Sequence, residues 1–447
     1  MEQISNINKL DLEKLGSIFF YIGIFFLASA VGVAIILLFF SLLISFLKPK
    51  KFFKDKWNYP FFASAFFMCL STIFHFRQTN QYPEQLLDPN LSLLGLANWI
   101  PFFLCFWGFQ KYLSTQEKRI LTSKIFICGS IPVIFSGILQ LLNINGPFEL
   151  FFGLIVWFQK PFSEIGSISG LFNNQNYAGL WMVMVWPFCL ASLITTEKFS
   201  LKKIILFLIC IGFISFITLT ESRNAFLGLI ISSPIVLGSA SLIWYLPVIF
   251  IAFTLLAMTV MPFFPLQVQS FMQSIVPPRI YNIFPEIGFQ NLTKYPRIAI
   301  WLSAITYILN KPIVGWGGAS FPILHEFKSG QWFGHSHNLP IEVTISYGFI
   351  PTILIFSTYL SLLFLSFKKI NNILYSKRFK SNKIHDKAWL ASSLVFFLSQ
   401  LFDIQYFDAR ISIFCWILLA GLRSFLMENE SLQSKEEQVM ALEVLQE

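Results

Sequence analysis

The chain alternates long apolar stretches with short polar ones. Apolar runs cover residues 17–47, 59–75, 91–109, 120–142, 177–195, 203–219, 224–241, 243–262, 339–366, 388–402 and 411–426. A helix needs about 20 apolar residues to cross a bilayer. The pattern therefore predicts an all-α, polytopic transmembrane helix bundle, a single integral membrane domain over residues 1–447. The first run is long enough for one tilted helix or for a tight hairpin bent near Ala28–Gly32, which gives 11–12 spans. Its start, Gly16 to Leu27 followed by Ala28-Ser29-Ala30, has the look of a cleavable signal. Glu2, Asp11 and Glu13 spoil the basic leader and the apolar run continues to Leu47, so a retained membrane segment is expected.

Composition agrees with the pattern. Of 447 residues, 55% are hydrophobic and 12% charged, against about 25% charged in a typical soluble domain. A formal charge of +9 raises the question of nucleic acid, but its placement argues otherwise. Lys48, Lys50, Lys51, Lys54 and Lys56 crowd one short loop, and Lys368, Lys369, Lys377, Arg378, Lys380, Lys383 and Lys387 another. Basic short loops between apolar spans mark the cytoplasmic side. No nucleic-acid partner is expected. Segments 110–119 and 196–203 are likewise basic, whereas 76–90, 143–176 and 403–410 are neutral or acidic and are expected outside. The same alternation puts Thr220-Glu221-Ser222-Arg223 and the long 263–337 loop outside, and the acidic tail 427–447 in the cytoplasm. Cys69, Cys105, Cys128, Cys189, Cys210 and Cys415 all lie in or beside apolar runs and read as packing residues.

A loop as long as 263–337 usually has a role. It carries Arg279, Lys294, Arg297, Lys311 and Lys328 against Glu286 and Glu326, a balance that suits an anionic substrate. Within it, the apolar stretch Arg297–Leu309 is too short to span and reads as a short helix bounded by Pro296 and Pro312.

Several polar positions can carry chemistry, and each has a plainer reading. Arg223 and Arg297 present guanidinium forks that match phosphate oxygens, or are simply interfacial and solvated arginines. Gly315-Trp316-Gly317-Gly318 offers backbone amides to a phosphate, or is a turn. Asn173-Asn174-Gln175-Asn176 can bind sugar hydroxyls through Asn174 and Asn176, or cap the helix that follows. His337 can act as a general base near neutral pH, or hold structure by hydrogen bonding. His335, two residues earlier, can join it in a metal half-site, but no Cys or acidic spacing nearby completes one, so no metal is expected. Asn338 and Glu342 flank the pair, and Glu342 can orient a substrate hydroxyl or pair with an arginine.

Taken in order, four stretches resemble the O-antigen ligase family, whose relatives include polymerase-like proteins and others described as bicarbonate transporters. They are Gly170 to Gly179 (GLFNNQNYAG), Ser222-Arg223-Asn224-Ala225, Arg297 to Trp301 and on to Gly315-Trp316-Gly317, and His337-Asn338 with Gly348. The family pattern after the histidine ends in two glycines, and Pro351 stands where the second is expected. The likeness covers roughly residues 165–365 by motif.

The resemblance implies an enzyme that moves a glycan from an undecaprenyl-diphosphate carrier to a lipid A-core acceptor, with inversion and with neither metal, nucleotide nor other cofactor. It implies His337 as base and Arg223 and Arg297 as holders of the diphosphate. It also implies a bacterial inner membrane location, a periplasmic active site, and twelve spans. A polymerase that joins repeat units uses the same donor, so the sequence does not separate the two. The reading from another class is a small-anion transporter. A transporter would be expected to place ionisable residues near the membrane midplane; here they cluster at the outer ends of the spans.

Overall fold

The computed structural model describes residues 2–47, 54–76, 86–196, 199–261, 263–276, 281, 296–372 and 383–444. Lys48, Lys50, Lys51, Arg279, Glu286, Lys294, Lys377, Arg378 and Lys380 lie outside the described residues. Every predicted apolar run falls on helix. The first is a hairpin, α1 (Glu2–Phe26) and α2 (Val31–Phe46), turning at Leu27–Ala30. Then come α3 (Tyr59–Phe76), α4 (Pro89–Leu96), α5 (Ile100–Phe109) with a 3-10 turn over Gln110–Leu113, and α6 (Gln116–Leu141). A short helix α7 (Phe162–Ile165) precedes α8 (Gln175–Thr195), α9 (Leu201–Leu219), α10 (Arg223–Leu237) and α11 (Leu242–Val260). The 263–337 stretch contributes α12 (Leu266–Ile275), α13 (Pro296–Asn310) and α14 (Ser320–Ser329). The last helices are α15 (Leu339–Tyr347), α16 (Phe349–Ile370), α17 (Lys383–Ser399) and α18 (Ala409–Val444). Among the described residues, seven helical stretches are long and apolar enough to cross a membrane, and Val31–Phe46, Arg223–Leu237 and Arg297–Asn310 are shorter apolar helices. The protein is an all-α, multi-pass membrane protein.

Polar residues placed just before the apolar runs start the helices. Asp88, Thr115, Asn174, Ser200, Ser222 and Asn338 each accept a backbone N–H of the first turn, which satisfies donors that the helix leaves free. The bundle centres on α8 and α18, whose apolar windows are 83% and 89% buried. In lipid, apolar contact alone gives helices little reason to associate, so close backbone approach matters more. Gly179 of α8 sits against Ser222 and Ala225 at the head of α10, Gly228 against Val183 and Val395, and Gly421 against Trp389. By contrast only 6% of the apolar window over Ser239–Val260 is buried, so α11 is an outlying helix that presents its apolar side chains to lipid.

Two features depart from the sequence pattern. Phe148–Leu150 and Ile155–Trp157 form an antiparallel β-hairpin, β1 and β2, pairing Phe148 with Trp157 and Leu150 with Ile155. Trp157 donates its indole N–H to the Ser29 carbonyl at 2.8 Å, pinning this hairpin on the α1–α2 turn. The predicted span 339–366 is also broken. Gly348 adopts φ +86°, ends α15 and starts α16. Pro351, the residue that departs from the family pattern, lies in the first turn of α16, where proline displaces no helical hydrogen bond. The bend therefore rests on Gly348.

A Cβ at position 348 would fall on the Ile313 carbonyl and would have to take a left-handed backbone. Gly348→Ala is expected to cost about 2 kcal/mol or more. The measurement is the unfolding midpoint of the purified protein in detergent, with Ala substituted at the open, surface-facing Gly153 as the comparison.

Candidate active site

The site forms at the bundle end where α8, α10, α15 and α18 begin and α17 stops. Its anchor is the Gln400–Asp408 turn. The Gln400 side-chain oxygen accepts the N–H groups of Gln405 and Tyr406, each at 3.2 Å. Tyr406 donates to the Asn98 carbonyl at 2.8 Å and stacks on Trp99. Arg410 pairs with Asp408 at 2.5 Å, donates to the Leu171 carbonyl at 3.1 Å and lies over the Phe172 ring. That contact seats the asparagine-rich stretch beside the turn. Gln140 completes the seating by accepting the N–H groups of Ser169 and Gly170, both at 3.0 Å.

The turn presents Asp403, which is 7% exposed. One of its oxygens receives His337 Nδ1 at 2.9 Å and lies 4.0 Å from His335 Nε2. The other receives the Gln405 amide at 3.0 Å and the Asn176 amide at 3.4 Å. Burial works against ionisation of this carboxyl. The His337 hydrogen bond, the neighbouring imidazoles and Arg297 outweigh it and hold its pKa below the ordinary value.

The histidine segment is held as firmly. Glu342, buried in α15, accepts the Ser336 N–H at 2.8 Å, and Trp301 of α13 donates to the Ser336 carbonyl at 3.0 Å. Asn338 caps α15 through its oxygen and donates its amide to the Leu401 carbonyl at 2.9 Å. His337 itself sits at φ +54°, a left-handed conformation that non-glycine residues hold only under constraint.

Hydrogen bonding fixes the ring protons. A carboxylate only accepts, so His337 must donate from Nδ1, which leaves its Nε2 with the free lone pair. His335 Nδ1 accepts the His337 backbone N–H at 3.2 Å, so its proton is on Nε2. Burial, helped by His337 and Arg297 and opposed by Asp403, pushes the His335 pKa down to about 4. Of the pair, only His337 offers an unprotonated nitrogen aimed away from the protein's own hydrogen bonds.

The fold thus brings together His335, His337 and Asn176 around a carboxylate that sequence spacing did not supply. Asp403 lies 66 positions past His337 in a turn whose acidic residues read only as an orientation signal. It also gives the two histidines the third potential metal ligand that their local sequence lacks, with the ligand atoms of all three within 4.8 Å of one another. The nitrogens that face Asp403 are the protonated ones, however. A metal there would require both rings to change tautomer and the His337 N–H to lose its acceptor, so the arrangement as built suits proton transfer better than coordination.

The remaining expectations divide. Asn174 is the cap of α8 and accepts the Asn176 N–H at 2.7 Å, which is the plainer of its two readings. Asn338 and Glu342 hold backbone rather than face a ligand. In the glycine-rich turn, Trp316 and Gly317 donate to the Ile345 and Ser346 carbonyls at 2.7 and 2.9 Å, and Gly318 to Ser92. Those amides complete the end of α15 rather than wait for a phosphate. Arg297 opens α13, is exposed, and is near enough to act on Asp403 and His335. Arg223 is exposed at the head of α10, and the next residue, Asn224, shares a small crevice with Phe402. Among the described residues, Arg119, Arg410 and Arg423 lie in ion pairs, whereas neither Arg223 nor Arg297 forms a hydrogen bond or ion pair.

Fold and site together define a multi-pass membrane protein with a histidine–carboxylate pair and two uncommitted arginines at one bundle end. A family model described as O-antigen ligase matches residues 204–356, the stretch that holds three of the four motif segments. The match supports assignment of the chain to the O-antigen ligase family, and with it an enzyme of the glycan ligation or polymerisation type acting on lipid-linked glycans. No curated protein matches the chain.

The depressed His335 pKa has a stability consequence. Between pH 6.5 and about 4 the unfolded chain protonates this histidine and the folded one does not. Folding should therefore weaken as pH falls through that window, by up to about 3 kcal/mol from this group. His385, also pushed down to about 4 by burial, adds a parallel slope. Unfolding midpoints taken from pH 7 to 4 should show a shallower slope in His335→Asn than in the wild type, with the His385 share left in place.

Proposed function

We propose that the chain transfers a polysaccharide from an undecaprenyl-diphosphate carrier to a sugar hydroxyl of a lipid A-core or similar acceptor. The site would lie on the periplasmic side of a bacterial inner membrane, as the basic short loops at the other bundle end favour. The observation that carries the reading is the 2.9 Å contact between His337 Nδ1 and Asp403. It leaves Nε2 as a free base whose ring is oriented by a buried carboxylate, the geometry that general-base catalysis needs.

The chemistry then follows from the residues. His337 Nε2 takes the proton of the acceptor hydroxyl as its oxygen attacks the anomeric carbon of the donor sugar. The bond from that carbon to the diphosphate oxygen breaks, and undecaprenyl diphosphate leaves. Attack opposite the leaving group inverts the anomeric centre. Arg223 and Arg297, which form no hydrogen bond or ion pair among the described residues, supply the charge that binds the diphosphate and stabilises it as it departs. Asp403 keeps the proton on Nδ1 and stabilises the imidazolium formed during transfer. His335 and Asn176 line this pair, and Asn338, Glu342 and Asn174 hold the segments that carry it.

His337→Ala should lower the transfer rate by about 10²–10⁴-fold with protein level unchanged. Asp403→Asn should do nearly as much, because an amide beside Nδ1 no longer enforces the tautomer. Full activity in either variant would sink the base assignment. The assay is transfer by the reconstituted protein from a lipid-linked glycan, offered either lipid A-core or a second lipid-linked glycan. Product on lipid A-core supports a ligase, and chain growth on the second glycan identifies a polymerase with the same site.

A further inference from the structure

A cavity of about 570 Å³ opens at the other end of the bundle. It lies beside Ser424 and Glu428 of α18, roughly 25 Å along that helix from the Asp403 turn. Its size is that of a small-molecule site, and nothing in the transfer reaction uses it.

The charges around it are mostly matched. Lys111 pairs with Glu13 at 3.2 Å, Glu428 with Arg119 at 2.6 Å, and Asp55 with Arg423 at 3.0 Å. Each carboxylate on the wall meets a cation, although Glu428 shares Arg119 with Asp386. Lys118, at the start of α6, donates to the Lys111 carbonyl at 3.3 Å and the Ser114 hydroxyl at 3.2 Å. Among the described residues it has no carboxylate. The charges around the cavity balance overall, because Arg119 also meets Asp386 at 3.7 Å, but Lys118 is the wall cation left without an acid of its own, with the Ser17, Ser114 and Ser424 side chains on the same wall.

Its depth narrows the ligand further. Lys111 and Lys118 stand where α5 has ended and α6 begins, at the polar edge of the apolar helices. Trp107 and Met427 add an apolar part to the wall. An ammonium and hydroxyls at the edge of the hydrocarbon, backed by apolar surface and with room for far more than a phosphate ion, fit a phosphate ester that carries acyl chains.

We propose that this cavity binds the phosphate of an anionic phospholipid headgroup, with Lys118 as its principal contact and the wall hydroxyls as further donors. The lipid would belong to the leaflet opposite the His337 site and would brace α1, α6 and α18 against one another.

The test uses the full chain purified in detergent. Native mass spectrometry and thermal unfolding are followed with phosphatidylglycerol, with diacylglycerol, which lacks the phosphate, and with glycerol 3-phosphate, which lacks the chains. The wild type should retain phosphatidylglycerol and unfold at higher temperature in its presence, and diacylglycerol should do neither. Lys118→Glu should weaken lipid binding by at least about tenfold, the loss of one charge-assisted contact. Lys118→Gln should fall between it and the wild type, and Lys118→Arg should bind within a few-fold of the wild type. Lys118 lies outside the transfer site, so Lys118→Arg should also leave glycan transfer unchanged. Equal lipid binding by the wild type and Lys118→Glu, or equal stabilisation by diacylglycerol, would overturn the proposal. Binding of glycerol 3-phosphate without retention of lipid would uphold the phosphate site and overturn its lipid source.

Discussion

A carboxylate taken out of water must be surrounded by donors or it will not stay charged. Asp403 meets that demand by drawing in His337, Gln405 and Asn176 from three parts of the chain, with His335 and Arg297 adding positive potential. The rest of the site depends on this one group. It ties the head of α8 to the segment before α15, fixes which nitrogen of His337 carries the proton, and brings His335 into contact with the same oxygen. The surrounding carboxamides serve the same end. Gln140, Gln400 and Gln405 satisfy loop backbone that would otherwise be stranded in apolar surroundings, so the loops stay rigid enough to aim the ring.

What was legible in the sequence was what local pattern controls. Apolar runs of membrane length gave helices at every predicted position, and the asparagine-rich stretch marked the start of α8, which Asn174 caps. The histidine segment stood out as a candidate too, because two histidines beside an apolar run are unusual. What was not legible came from contacts distant in sequence. Asp403 had no signal of its own, since an aspartate in a short loop reads as solvated until the fold places an imidazole on it. The same holds for Gly315–Gly318, whose amides looked available for phosphate until the end of α15 was found above them. The β-hairpin at 148–157 escaped because its strands are three residues each and are set by pairing rather than by periodicity.

The two ends of the bundle treat charge differently, and the contrast bears on function. At the end away from His337, Arg119 reaches Glu428 and Asp386, and Arg423 holds Asp55 through two hydrogen bonds. These are internal ties that join α6, α17 and α18 and hold the loop before α3 against α18, and each arginine in them is met by at least one carboxylate. At the His337 end, Arg410 is tied in the same way, but among the described residues Arg223 and Arg297 form no ion pair. A guanidinium at a membrane surface that lacks a protein partner is stable because water solvates it, and it remains free to take a doubly charged ligand at little cost. Unmatched charge rather than arginine content is thus what sets the end proposed to bind the donor apart from the structural one.

The backbone of His337 supports the same distinction. Holding a non-glycine residue at φ +54° costs on the order of 1 kcal/mol or more. A purely structural histidine would gain nothing from that strain, because a hydrogen bond to Asp403 can be made from an ordinary conformation by shifting the loop. The strain persists because both sides of the residue are fixed: Ser336 by Glu342 and Trp301, Asn338 by the cap of α15 and by Leu401. With the backbone immobile, the only freedom left to the ring is its rotation, and Asp403 removes it. If His337 is the base proposed above, a ring held this way needs no reorganisation when substrate arrives, which is the condition under which a general base contributes most to transfer.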